Sequence, residues 1–173
     1  PAKPKAESGP IGLPVTFDLV LTNGRITAAK PGLDPVAFED LNINISATEL
    51  ATKGVTFDLR TTTRQGNLTG NVTVAGKVSG FNDAGEIDPD QASIDGTADV
   101  TDLPVDGIDT LAGLNGLLTA AIGERLNLKV ITKPGESAQT VTATADAAHL
   151  KVNLNASVAE GKAGANGSIN FTA

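Results

Sequence analysis

Apolar residues fall on every second position for most of this chain. Val15, Phe17, Leu19 and Leu21 alternate with Thr16 and Asp18, and Leu41, Ile43 and Ile45 alternate with Asn42, Asn44 and Ser46. This is the period-two signature of strands that bury one face. The same alternation returns at Val55 to Leu59, through Leu68, Gly70, Val72, Val74, Gly76 and Val78, and at Ile94 to Val100. It continues at Leu126 to Thr132, Thr140 to Asp146, Leu150 to Val158 and Ala165 to Phe171. Short turn-forming runs separate these segments, which predicts an antiparallel meander. Asn23-Gly24 predicts a tight hairpin with Arg25 to Ala28 as its return strand.

One stretch breaks the alternation. Between Leu103 and Lys133 the apolar residues Leu111, Leu114, Leu117, Leu118, Ala121 and Ile122 recur at helical spacing. At about 100° per residue they share one arc roughly 140° wide, which predicts an amphipathic helix over about 106–122. Asp106 is the expected N-cap, Asp109 adds a carboxylate in the first turn, and Gly123 ends the helix. Gly113 and Gly116 lie within it; either they, with Ala112 and Ala120, let another layer approach closely, or they reflect only the Gly-rich composition of the chain. The predicted fold is therefore mainly β: a twisted antiparallel meander sheet wrapped over one amphipathic helix. Residues 1–10, rich in Pro, Ala and Lys, read as a linker, and 11–173 as a single β-rich domain, a fragment of a longer chain. VTFDL occurs at Val15 to Leu19 and again at Val55 to Leu59, which suggests a repeat of strand pairs.

The composition narrows the chemistry. Only 3% of the 173 residues are aromatic, all Phe, so the core must be built from Val, Ile, Leu and Ala in thin layers. A net charge of −7 argues against nucleic acid, which selects for basic patches. Without Cys and with His149 as the one histidine, neither a nucleophile system nor a transition-metal site is expected. The acidic run from Phe81 to Gln91 has the flavour of a calcium loop. Aligning Gly85 with the sixth loop position, however, places Gly80, Ala84 and Gln91 where ligands belong, which predicts a solvated hairpin tip. The expectation is no cofactor, no metal and no enzyme activity.

The segment VTFDLVLTNGRITAAKPGLDPVAFEDLNINI, Val15 to Ile45, resembles the repeating units of AsmA-like and TamB-like bacterial envelope proteins. Those units read strand, Asn-Gly, return strand and a further strand, matched here by Asp40, Leu41, Asn42, Ile43 and Ile45. The helix followed by ERLNLKV is similar to segments of such proteins, and the resemblance covers about half the chain. It implies a long open β-groove that carries lipid or acyl chains, a periplasmic or envelope location, membrane attachment through segments outside this chain, and no catalytic residues. On that reading Val15, Phe17, Leu19, Leu21, Leu41, Ile43, Ile45, Val55, Phe57 and Leu59 line the groove. The rival readings are an extracellular adhesion module built as a β-sandwich and a hydrolase acting through loop carboxylates.

Overall fold

The computed structural model describes residues 16–30, 34–89, 91–135, 137–159 and 162–172. Nine antiparallel strands run in chain order, each paired with the next, in one open sheet. They are β1 (Phe17–Ala28), β2 (Val36–Ala47), β3 (Val55–Gln65), β4 (Leu68–Ser79), β5 (Ser93–Pro104), β6 (Arg125–Pro134), β7 (Gln139–Ala147), β8 (Leu150–Ala159) and β9 (Lys162–Phe171). All nine belong to a single sheet, so the described residues do not form the two-sheet sandwich of the rival reading. A short helix α1 (Leu50–Lys53) joins β2 to β3, and two more, α2 (Val105–Ala112) and α3 (Leu117–Ile122), join β5 to β6. The expected linker at 1–10 lies outside the described residues, as does Val15.

The mainly β meander is as the alternation predicts, but two local expectations are corrected. Asn23-Gly24 does not turn the chain. β1 passes straight through it: the type I′ hairpin turn that Asn-Gly favours needs positive φ at both residues, and only Asn23 (φ 53°) has it. The outcome is a β-bulge, with the register to β2 shifting on both sides of Gly24.

The same device recurs in β2 at Asp40 (φ 51°) and in β5 at Asp102 (φ 52°), each beside a register shift. Asn and Asp tolerate the left-handed region better than other side chains do. Each bulge adds one residue and so resets which face the following positions occupy. Leu21 and Ile26, Phe38 and Leu41, and Val100 and Leu103 therefore share a face despite odd spacing. The disturbed ladder is repaired from the next strand: the Asn23 amide donates to Asn42 Oδ1 at 3.2 Å, and the Asp102 amide to Asn127 Oδ1 at 2.9 Å.

The second correction concerns the helix. It is two helices, not one, broken where Gly113, Asn115 and Gly116 all adopt left-handed φ values of 71°, 54° and 85°. Asp106 is not the N-cap; Pro104 is, and Asp106 lies in the first turn, where it accepts a hydrogen bond from Gln65 Nε2 at 2.9 Å. Asp109 is buried, and its carboxylate reaches forward to the second helix, accepting the amides of Gly116 (3.1 Å), Leu118 (3.0 Å) and Thr119 (3.1 Å). Gly123 does end α3, with φ 100° and its amide donating to Thr119 O at 2.8 Å.

The best-buried residues gather at this helical end. Val105, Ile122 and Ala147 form the core cluster, with Leu118, Leu126 and Leu150 packed against it. On the other flank α2 lies against β2 and β3, so close that a Cβ on Gly107 would stand 2.7 Å from Val36 Cγ2. Of the predicted packing face, Ile122 is buried and Leu118 half-buried, whereas Leu111, Leu114, Leu117 and Ala121 are exposed. The left-handed residues at 113–116 turn that half of the arc away from the sheet.

Candidate functional site: the apolar face of the sheet

Residues paired directly across antiparallel strands project from the same face, so the register assembles the apolar positions into rows. One row runs Leu21, Ile43, Leu59, Val74, Ala98, Val130, Ala143, Leu154. The next runs Leu19, Ile45, Phe57, Gly76, Gly96, Thr132, Val141, Ala156. A third carries Thr61, Val72, Val100, Leu128, Ala145, Val152 and Ile169. At about 4.8 Å between neighbouring strands, the rows cross a sheet roughly 40 Å wide. The opposite face is polar. There Glu39 pairs with Arg25 (3.3 Å) and Arg64 (3.0 Å), Asp99 with Lys129 (3.2 Å) and Asp146 with Lys151 (3.4 Å).

Nine of the ten positions assigned to a groove fall within the described residues, and the register brings them to the apolar face. Phe17, Leu19 and Leu21 on β1 are exposed, Phe17 to 43%. Ile43, Ile45, Val55, Phe57 and Leu59 are half-buried, whereas Leu41 is buried near the helical end. Phe17 to Leu19 of the first VTFDL segment lie on β1 and the second segment lies on β3, with Ile45 between them, paired to both Leu19 and Phe57, so the copies are offset by two residues. Exposed apolar side chains extend to the other edge, where Ile169 and Phe171 of β9 are 65% and 71% exposed.

The face has a relief that alternation alone does not specify. Gly76 and Gly96 are direct partners, so two adjacent strands carry no side chain at the same level. The Phe57 ring lies over this gap; a Cβ on Gly76 would stand 2.8 Å from Phe57 Cζ. An apolar depression of about 110 Å³ opens beside it, lined by Phe57, Val74, Ile94, Gly96, Ala98, Val130 and Thr132 among others. The pairing of two glycines across β4 and β5 was the available sequence signal, readable only once the register is known.

The remaining polar candidates are structural in their contacts. Asn82 Oδ1 accepts the amides of Ala84 (3.0 Å) and Glu86 (2.9 Å), tying the acidic β4–β5 loop to itself. His149 is exposed in the β7–β8 turn, and its amide donates to Ile122 O at 3.2 Å, pinning that turn to α3. Among the described residues no three His, Asp or Glu side chains come together as a metal would need. No protein-family model, curated protein sequence or solved structure matched the chain.

Proposed function

We propose that this chain is a non-enzymatic lipid-handling domain, part of an envelope protein that moves lipid or assists membrane assembly. The apolar sheet face is its acyl-chain surface. One observation carries the reading: rows of largely apolar side chains run from β1 to β8 and from β3 to β9 on one face, while α2 and α3 cover only one end of them. Continuous exposed apolar area beyond about 400 Å² is rare on a protein that works alone in water and marks a binding surface. Each acyl methylene removed from water contributes about 0.8 kcal/mol, so a shallow trough without polar hooks can retain a chain. The polar face, where Glu39, Asp99 and Asp146 are ion-paired, suits the aqueous side of such a trough. The periplasmic setting and the likeness to AsmA-like and TamB-like proteins rest on the residues from Val15 to Ile45.

The test is native mass spectrometry of the domain purified from a bacterial host, followed by titration with a fluorescent fatty acid. Co-purified phospholipid and saturable uptake are expected. Val74→Asp should abolish uptake, and Thr73→Asp, on the opposite face of the same strand, should not. A lipid-free domain without uptake would leave a purely structural module.

A further inference from the structure

We propose that the α2–α3 tip is a membrane-contact element, which sets the open end of the sheet face against a lipid bilayer. The inference rests on the acyl-chain reading above, since a trough needs a place where lipid enters. Its own evidence lies in the tip. Ile108, Leu111, Leu114 and Leu117 are all exposed, Leu117 to 70%. No ionisable side chain occurs from Thr110 to Gly123. Of the two carboxylates that flank this run, Asp109 is buried beneath the tip with its carboxylate taken up by three amides, whereas Glu124 is exposed beyond the end of α3.

Most amides of the tip are taken up within it, which lowers the cost of approaching hydrocarbon, where an unmade hydrogen bond is expensive. Gly113 donates to Thr110 O, Leu114 to Asp109 O, Leu117 to Leu114 O and Ala120 to Gly116 O, while Gly116, Leu118 and Thr119 donate to Asp109.

Charge sets the orientation. The meander places the β2–β3 and β4–β5 connections at the far end of the sheet; Glu49 of the first is ion-paired with Lys53 at 3.3 Å, and the second adds Asp83, Glu86 and Asp88. On a chain of net charge −7, that end is repelled by an anionic bilayer, while the uncharged tip is not. The small apolar tip without basic residues fits a lipid surface by hydrophobic insertion rather than by electrostatic attraction.

The experiment is flotation of the 173-residue chain with phosphatidylcholine vesicles, compared with Leu114→Asp/Leu117→Asp, alongside fluorescent fatty acid uptake by both. The wild-type chain should float, and 0.5 M salt should not release it. The double variant should lose at least about tenfold in partitioning, since a charge is strongly disfavoured in a bilayer, yet take up fatty acid as before. Equal flotation of the two proteins overturns the proposal. So does failure of the wild type to float, and fatty acid uptake then still judges the trough separately. Concentration-dependent self-association that the double variant abolishes, without vesicle binding, also overturns it and assigns the tip to a second copy. A second readout does not depend on a destabilising charge. The chain has no Trp, so Leu117→Trp supplies a single reporter, which should shift to the blue on vesicle addition, whereas Lys77→Trp on the polar face should not. No shift at Leu117→Trp overturns the proposal.

Discussion

Asp109 of α2 caps α3: its Oδ2 accepts the Leu118 amide at 3.0 Å from nine residues upstream. With the Gly116 and Thr119 amides also on this carboxylate, one side chain closes the start of α3 and fixes the angle between the helices. Hydrogen bonds to a charged acceptor contribute about 1.5–3 kcal/mol, and stranded amides at a half-buried helix start add to the loss. Asp109→Ala should cost about 3 kcal/mol and lower the thermal midpoint by roughly 6–12 °C. Asp109→Asn, which retains one acceptor oxygen, should fall between the two proteins. A midpoint unchanged in Asp109→Ala would show that the helical pair is held some other way.

Gly107 gives a prediction of reversed sign. Replacing a helical glycine by alanine normally gains about 1 kcal/mol. Here the new Cβ would lie 2.7 Å from Val36 Cγ2, and Val36 is buried and stiff at χ1. Overpacking of this kind costs about 1–3 kcal/mol, so Gly107→Ala should destabilise. Combined with Val36→Ala the penalty should be largely relieved, giving a coupling of about 1 kcal/mol in a double-mutant cycle measured by denaturant unfolding. Strict additivity would place α2 away from β2.

These residues also show which parts of the fold the sequence carries. Strand alternation is a local property, so the meander and its apolar face are legible from Phe17 to Phe171 in the spacing of apolar residues alone. The bulges are harder. Leu21 and Ile26 are five apart, while Phe38 and Leu41, and Val100 and Leu103, are three apart. Each odd interval contains an Asn or Asp, which signals an inserted left-handed residue, yet Asn23-Gly24 in one of them is also a hairpin motif. Only the pairing of both halves of β1 with β2 separates the two readings. The leucine spacing through Gly113 and Gly116 likewise mimics one continuous helix. It takes the forward reach of Asp109, a tertiary contact, to make two short helices preferable.

Leu118 and Leu117 are adjacent and should respond oppositely to the same change. Leu118 packs on the cluster of Val105, Ile122 and Ala147, whereas Leu117 is 70% exposed. Leu118→Asp would press a carboxylate into an apolar site and cost about 3 kcal/mol or more. Leu117→Asp should change unfolding free energy by less than about 0.5 kcal/mol. Circular dichroism melts of the two variants make the comparison, and equal losses would mean that the helical arc packs as a whole.

Thr63 is 1% exposed, and its Oγ1 finds no hydrogen-bond partner among the described residues. Thr61, two residues earlier on the same strand, donates its hydroxyl to Glu39 O at 2.9 Å. Replacing an unpaired buried hydroxyl by a methyl group removes a desolvation cost without opening a cavity. Thr63→Val should therefore stabilise by about 0.5–1 kcal/mol, and Thr61→Val should destabilise by about 1 kcal/mol. Chemical denaturation of both variants checks the pair. A loss in Thr63→Val would reveal a partner for that hydroxyl.

The acyl-chain surface is tested most directly by neighbours on one strand. Val74 and Thr73 are adjacent on β4 but sit in different rows, Val74 paired with Leu59 and Ala98, Thr73 with Arg60 and Asp99. A photo-crosslinking amino acid placed at each position, in protein made in a bacterial host, reports what lies against each face. Irradiation should attach phospholipid at position 74, with mass spectrometry locating the adduct on an acyl chain, and should attach none at position 73. Equal labelling at the two positions, or labelling at 73 alone, would contradict the account.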